Sequence, residues 1–193
     1  FLISQYFQFA LGYSPLAAGL RLLPWTATPL LVAPLAGALS DRIGPRPVLA
    51  VGMLLQGVGL GWIAFIAAAG TTTGYGRFVV PLIVAGIGIS LALPIAPTAV
   101  MSAVSPRDMG KASGVNSTLQ RFGSAFAVAI AVAVFSANGH LGTAEGFTAG
   151  FRPALGVVAG LSVIGAITAL SVNGPRRRVR PQPEAVEPVA AAS

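Results

Sequence analysis

The stretch VLAVGMLLQGVGLGWIAFIAAA, Val48 to Ala69, contains no charged residue and a single amide, Gln56. As an α-helix it is roughly 33 Å long, which matches the roughly 30 Å hydrocarbon core of a bilayer. A lone segment in lipid has to satisfy its own backbone groups, and a helix does so internally. Four more stretches have the same character: Leu16–Leu39, apolar except for Arg21, then Phe78–Met101, Asn116–Ala137 and Pro153–Val172. The expected fold is an all-α integral membrane bundle with about five full crossings. Pro24, Pro29 and Pro34 fall in the first of these stretches, and Pro94 and Pro97 near the end of the third. Neighbouring helices re-satisfy the carbonyls that such prolines free.

Charge sets the remaining expectations. Only 9% of the 193 residues are charged, against about 25% in a soluble domain. The formal charge of +7 would raise nucleic acid as a partner in a soluble protein. Here the basic residues sit at the ends of apolar runs without interleaved aromatics, so the expected partner is the lipid bilayer and not nucleic acid. With no cysteine and one histidine, His140, disulfides and thiolate metal sites are excluded, and most histidine metal sites with them.

The links between the stretches are Ser40–Pro47, Gly70–Arg77, Ser102–Val115 and Asn138–Arg152, and alternate links share a side. Arg42, Arg46, Arg107, Lys111, Arg176, Arg177, Arg178 and Arg180 collect on one side, eight basic residues against three on the other, Arg21, Arg77 and Arg152. The positive-inside rule puts the first group and the C-terminus in the cytoplasm. Residues 173–193, basic and then rich in Pro, Glu and Ala, are expected to form a disordered cytoplasmic tail. Phe1–Leu11 is apolar but only roughly 16 Å long as a helix. It reads as the end of a truncated helix, and the chain as a fragment.

The first cytoplasmic link reads Gly37-Ala38-Leu39-Ser40-Asp41-Arg42-Ile43-Gly44-Pro45-Arg46. Gly37 allows close helix approach, Asp41 caps or faces the next helix N-terminus, Gly44 permits a tight turn, and Arg42 and Arg46 hold the cytoplasmic edge. This resembles the loop signature of the major facilitator superfamily. Pro45 and Pro47 stand where that family often has further basic residues. The preceding Gln5-Tyr6-Phe7-Gln8 and Leu11-Gly12-Tyr13-Ser14-Pro15, followed by Leu23-Pro24, are similar to the C-terminal half of the fourteen-helix drug:proton antiporter branch. Gly86-Ile87-Gly88, Gly110-Lys111-Ala112-Ser113-Gly114 and Asn116…Gln120-Arg121-Phe122-Gly123 fit the same branch.

The resemblance implies that residues 1–172 are a C-terminal transmembrane domain in the plasma membrane. It implies proton-coupled export of drugs or other amphipathic small molecules by alternating access, in partnership with a missing N-terminal half. It also implies Gly37, Asp41, Arg42, Gly44 and Arg46 as a cytoplasmic gating loop. No cofactor is implied beyond the proton-motive force. None of the five stretches holds an Asp or Glu, so the proton-carrying carboxylate is expected in the missing half.

Polar residues at membrane depth are the candidate cavity or substrate contacts: Gln5, Tyr6 and Gln8 in the truncated helix, and Asn116, Gln120 and Arg121 on one side of the fourth stretch. Arg121 is the one charge well inside a stretch, with snorkelling to the cytoplasmic surface as its alternative role. Gln56 is expected to bond a neighbouring helix, and Trp25 to anchor at the interface. Gly57/Gly61 and Gly156/Gly160, each four apart, fit close helix packing. Uptake or export of a sugar or other metabolite is the nearer alternative, and a non-transporting scaffold or sensor the more distant one. An ATP-driven pump fails on the P-loop pattern, since Ala112 follows Gly110-Lys111. A membrane enzyme lacks its acidic or histidine cluster.

Overall fold

The computed structural model describes residues 1–70, 74–102 and 104–171. It is built of α1 (Leu2–Phe9), α2 (Pro15–Arg21), α3 (Leu23–Thr26), α4 (Thr28–Ile43), α5 (Pro45–Ala67), α6 (Gly76–Ser102), α7 (Met109–Asn138) and α8 (Ala144–Ser171). Five helical stretches are long and apolar enough to cross a membrane: Leu23–Ile43, Pro45–Ala67, Gly76–Thr98, Met109–Asn138 and Ala144–Ser171. The expected basic tail, 173–193, lies outside the described residues.

Three boundaries differ from the sequence expectation. The stretch from Leu16 is not one helix. Ser14 accepts from the Ala17 amide at 3.3 Å and starts α2, which stops at Arg21. Pro24 and Pro29 then each occupy the first turn of a new helix, α3 and α4. A missing N–H costs nothing in a first turn, and the apolar helical stretch begins at Leu23, while Pro34 is accommodated inside α4. Helix α7 begins at Met109 instead of Asn116, and α8 at Ala144 instead of Pro153. Both added segments mix charged, hydroxyl and glycine residues with apolar ones, Lys111 and Ser113 in α7, Glu145, Thr148 and Arg152 in α8, where Phe147 and Phe151 are buried. Hydropathy reports depth in lipid and not backbone conformation, so it placed them in links.

Helices α5 and α6 form the centre of the bundle. In α6, 56% of the crossing window is buried and in α5 44%, against 11% in both the α3–α4 crossing and α7. Lipid tails are as apolar as leucine, so close packing and not hydrophobic burial holds such helices together. The α5–α6 seam shows this. A Cβ on Gly59 would stand 2.6 Å from the Ala85 nitrogen, and one on Gly52 would stand 2.8 Å from the Gly88 carbonyl oxygen. Gly57 meets the Ala159 carbonyl of α8 at 3.0 Å in the same sense, so Gly57 and Gly61 serve packing within the bundle. Gly156 and Gly160 have nothing within 4 Å and open to the outside.

An aromatic cluster closes one end of the bundle. Tyr6 and Phe7 of α1, Phe78 of α6, and Phe147 and Phe151 of α8 are all buried, with Ile63 and Leu82 between them. A smaller core of Ala36, Val48, Leu91 and Ile95 joins α4, α5 and α6 near the opposite end.

Candidate functional site

The loop motif forms the junction of α4 and α5. Gly44 adopts φ +90°, a conformation that glycine takes without a Cβ clash, and it lets Pro45 begin α5 at once. Asp41 and Arg42 lie exposed in the last turns of α4. Two expectations for this loop are corrected. Asp41 does not cap α5: Gly44 holds the N-cap position and no side chain bonds there. Asp41 lies one turn before the break, still within α4. Gly37 brings no helices together among the described residues, because it is exposed and has nothing within 4 Å. It lies on the side of α4 turned away from the bundle. Arg46, in the first turn of α5, keeps its Nε and Nη2 shielded from solvent without an acceptor.

Helix α1 divides its candidates. Gln8 turns back on its own helix, its Nε2 donating at 3.2 Å to both the Ser4 carbonyl and the Ser4 hydroxyl. Gln5 is half-buried. Tyr6 is fully buried, stacked on Phe151 with ring centroids 4.4 Å apart and tilted against Phe78 at 5.9 Å. It is a core residue and not a cavity contact, because its ring has more to gain from three aromatic neighbours than its hydroxyl gains from water. Thr148 lies beside the hydroxyl but donates to the Ala144 carbonyl at 2.7 Å, and the Tyr6 oxygen has no bond of proper geometry.

The α7 candidates come together. Gln120 and Arg121 line a shallow open hollow with Ser117 and Ser124, all exposed, and Asn116 is half-buried one turn earlier. Spacings of three and four put these residues on one helix face. Arg121 forms no ion pair: among the described residues the one salt bridge joins Lys111 to Asp108 at 3.5 Å. Phe122 and Phe126, also exposed, stack beside this strip at 5.8 Å. Trp25 is half-buried against the aromatic core. Gln56 is half-buried, and among the described residues its side chain bonds no neighbouring helix. No three His, Cys, Asp or Glu side chains cluster among the described residues.

One cluster escaped the sequence reading. The Arg21 guanidinium lies 3.8 Å from the Tyr13 ring centroid and 5.4 Å from that of Tyr75. The Tyr75 hydroxyl donates to the Arg21 carbonyl at 3.0 Å. Burial raises the Tyr75 phenol above its ordinary pKa, against a lowering by the Arg21 cation. Arg21 and Tyr75 are 54 residues apart in the chain, and nothing local in the sequence links them.

Residues 1–192 match the family profile described as Major Facilitator Superfamily. The chain belongs to the Major Facilitator Superfamily. Among its superfamily relatives is the multidrug resistance protein Stp of Mycobacterium tuberculosis, 32% identical over 136 residues, covering 70% of this chain and 25% of the relative. The tetracenomycin C resistance and export protein of Streptomyces glaucescens is 28% identical over 131 residues, covering 67% of this chain and 24% of that protein. This chain thus spans about a quarter of the length of these superfamily members. The xylose transporter XylE from E. coli, in a partially occluded inward-open conformation, superposes with a TM-score of 0.67 at 19% identity, over 90% of this chain and 45% of XylE. At that identity the likeness concerns the fold alone.

Proposed function

We propose that this superfamily chain is the C-terminal transmembrane domain, residues 1–172, of a plasma-membrane exporter of drugs or other amphipathic small molecules. In this reading it works by alternating access, driven by proton influx, with its C-terminus in the cytoplasm. The observation that carries the reading is the α7 strip. A helix that crosses the membrane exposes Ser117, Gln120, Arg121 and Ser124 on one face, while only 11% of its crossing window is buried. An arginine facing lipid at the helix centre costs about 3 kcal/mol on insertion scales. In this reading the strip faces a water-filled cavity, whose opposite wall belongs to a second helical half, and snorkelling of Arg121 is the alternative that its variants test. Rocking of two halves about a central site is how such folds transport.

The names of the relatives, multidrug resistance and tetracenomycin C export, support export over uptake. Proton coupling requires a carboxylate at depth. The acids of the described helices lie near helix ends, Asp41 in the last turns of α4 and Glu145 in the first turn of α8, so the second half supplies it. Cells expressing the full-length protein should accumulate less of a lipophilic cation dye, and a protonophore should restore accumulation. Equal accumulation with and without the protein refutes export. Efflux that a protonophore leaves untouched refutes proton coupling.

A further inference from the structure

Arg21, at the end of α2, is held by aromatic rings and not by a carboxylate. Tyr13 and Tyr75 flank its guanidinium at 3.8 and 5.4 Å. Phe7 backs both rings edge-on, at 6.3 Å from Tyr13 and 6.1 Å from Tyr75. The Arg21 Nη1 donates to the Ala17 carbonyl at 3.1 Å, and Asp108–Lys111 is the one ion pair among the described residues. Two aromatic faces set about a cation form the arrangement that recognises quaternary ammonium groups.

Arginine is an imperfect occupant of this arrangement. Its Nε is shielded from solvent and has no acceptor, and a buried unmet donor is unfavourable. A quaternary ammonium carries its charge without any N–H, so it would leave no donor unmet between the same rings. Tyr13, Arg21 and Tyr75 are each half-buried, so the cluster reaches the surface. Gly12, at φ +70°, precedes Tyr13 and holds the α1–α2 turn in that conformation without side-chain strain.

We propose that Tyr13 and Tyr75 form a binding site for the head of a lipophilic quaternary cation, and that Arg21 is a tethered occupant which such a ligand displaces. The site deepens the export reading and rests on it for its place at the outer end of a transporter. Its test is binding and not transport.

The probe is phenyltrimethylammonium, with neutral, isosteric tert-butylbenzene as control, titrated calorimetrically into the purified full-length protein. Arg21→Gln vacates the site and should tighten phenyltrimethylammonium binding roughly threefold, the scale of an exposed cation–π contact. Arg21→Met serves the same purpose if Arg21→Gln does not fold. In either background Tyr13→Leu and Tyr75→Leu should each weaken binding by roughly threefold, and Tyr75→Phe, which keeps the ring, should not. Binding that is absent from the Arg21 variants overturns the site, as does binding insensitive to both leucine substitutions or matched by tert-butylbenzene. Binding in the expected pattern without dye efflux leaves the site standing and removes the exporter. Dye efflux with insensitive binding does the reverse.

Discussion

Gly88 of α6 lies so close to Gln56 of α5 that a Cβ on the glycine would overlap the Gln56 backbone nitrogen. Gly52 and Gly59 repeat the fit along the same seam, against Gly88 and Ala85. With no hydrophobic drive between helices in lipid, this approach of backbones is what keeps the two central helices together. Overpacking a close contact costs about 1–3 kcal/mol.

Gly88→Ala should therefore lower the thermal unfolding midpoint of the detergent-purified protein, with a loss of about 1–3 kcal/mol. Gly156→Ala and Gly160→Ala, at positions with nothing within 4 Å, should stay within about 0.5 kcal/mol of the parent. Equal effects at the seam and at the open positions would refute this account of the packing.

Tyr6 offers a different contrast. Its hydroxyl is buried without a bond, so Tyr6→Phe removes an unmet polar group and should leave stability equal or raise it. Tyr6→Ala also deletes the stack on Phe151 at 4.4 Å and should cost about 3–5 kcal/mol. Thermal melts of the two variants side by side decide the point.

Asp41 is exposed at the end of α4 and has no ion-pair partner among the described residues, so its charge contributes little to the stability of this bundle. We expect Asp41→Asn to insert and melt like the parent while lowering dye efflux roughly tenfold, a barrier increase of about 1.4 kcal/mol. Undiminished efflux would reduce the loop to a plain turn.

Arg121→Ala should behave similarly for another reason. The side chain is exposed and lines the α7 hollow without an ion pair, so stability should change by no more than about 0.5 kcal/mol while efflux falls. Arg121→Lys keeps the charge but loses the planar fork. Partial efflux in Arg121→Lys marks a role in charge, and loss equal to Arg121→Ala marks a role in geometry. Full efflux in both would assign Arg121 to snorkelling.

Tyr75 titrates above its usual range through burial. A group whose folded pKa is raised stabilises fully below its unfolded pKa, about 10 for tyrosine. That stabilisation is lost as pH climbs through the higher folded value. The melting difference between the parent and Tyr75→Phe should thus hold steady up to about pH 10 and shrink above it. A difference that shrinks on the acid side instead would contradict the hydrogen bond to the Arg21 carbonyl.

Much of the architecture was readable one residue at a time. The charge-free run from Val48 to Ala69 identified a crossing because transfer into lipid adds up residue by residue along a helix, and the described α5 covers Pro45–Ala67. Gly44 was legible as a turn because only its own backbone is involved. The starts of α7 and α8 were not legible, because the charged residues and glycines before Asn116 and Pro153 interrupt the apolar run without interrupting the helix.

The candidate site was readable in part. The spacing of Asn116, Gln120 and Arg121 already placed them on one face, since helical periodicity is local. The sequence by itself determined the five long apolar helices, the α4–α5 turn and the polar strip, which follow from lipid partition, a glycine φ angle and the helical period. Tertiary structure alone decided that Tyr6 stacks in the core, that Gly88 and not Gly156 carries a helix contact, and that Arg21 lies between Tyr13 and Tyr75. Each of these depends on how one helix is rotated against another, and that rotation is set by the packing of the whole bundle.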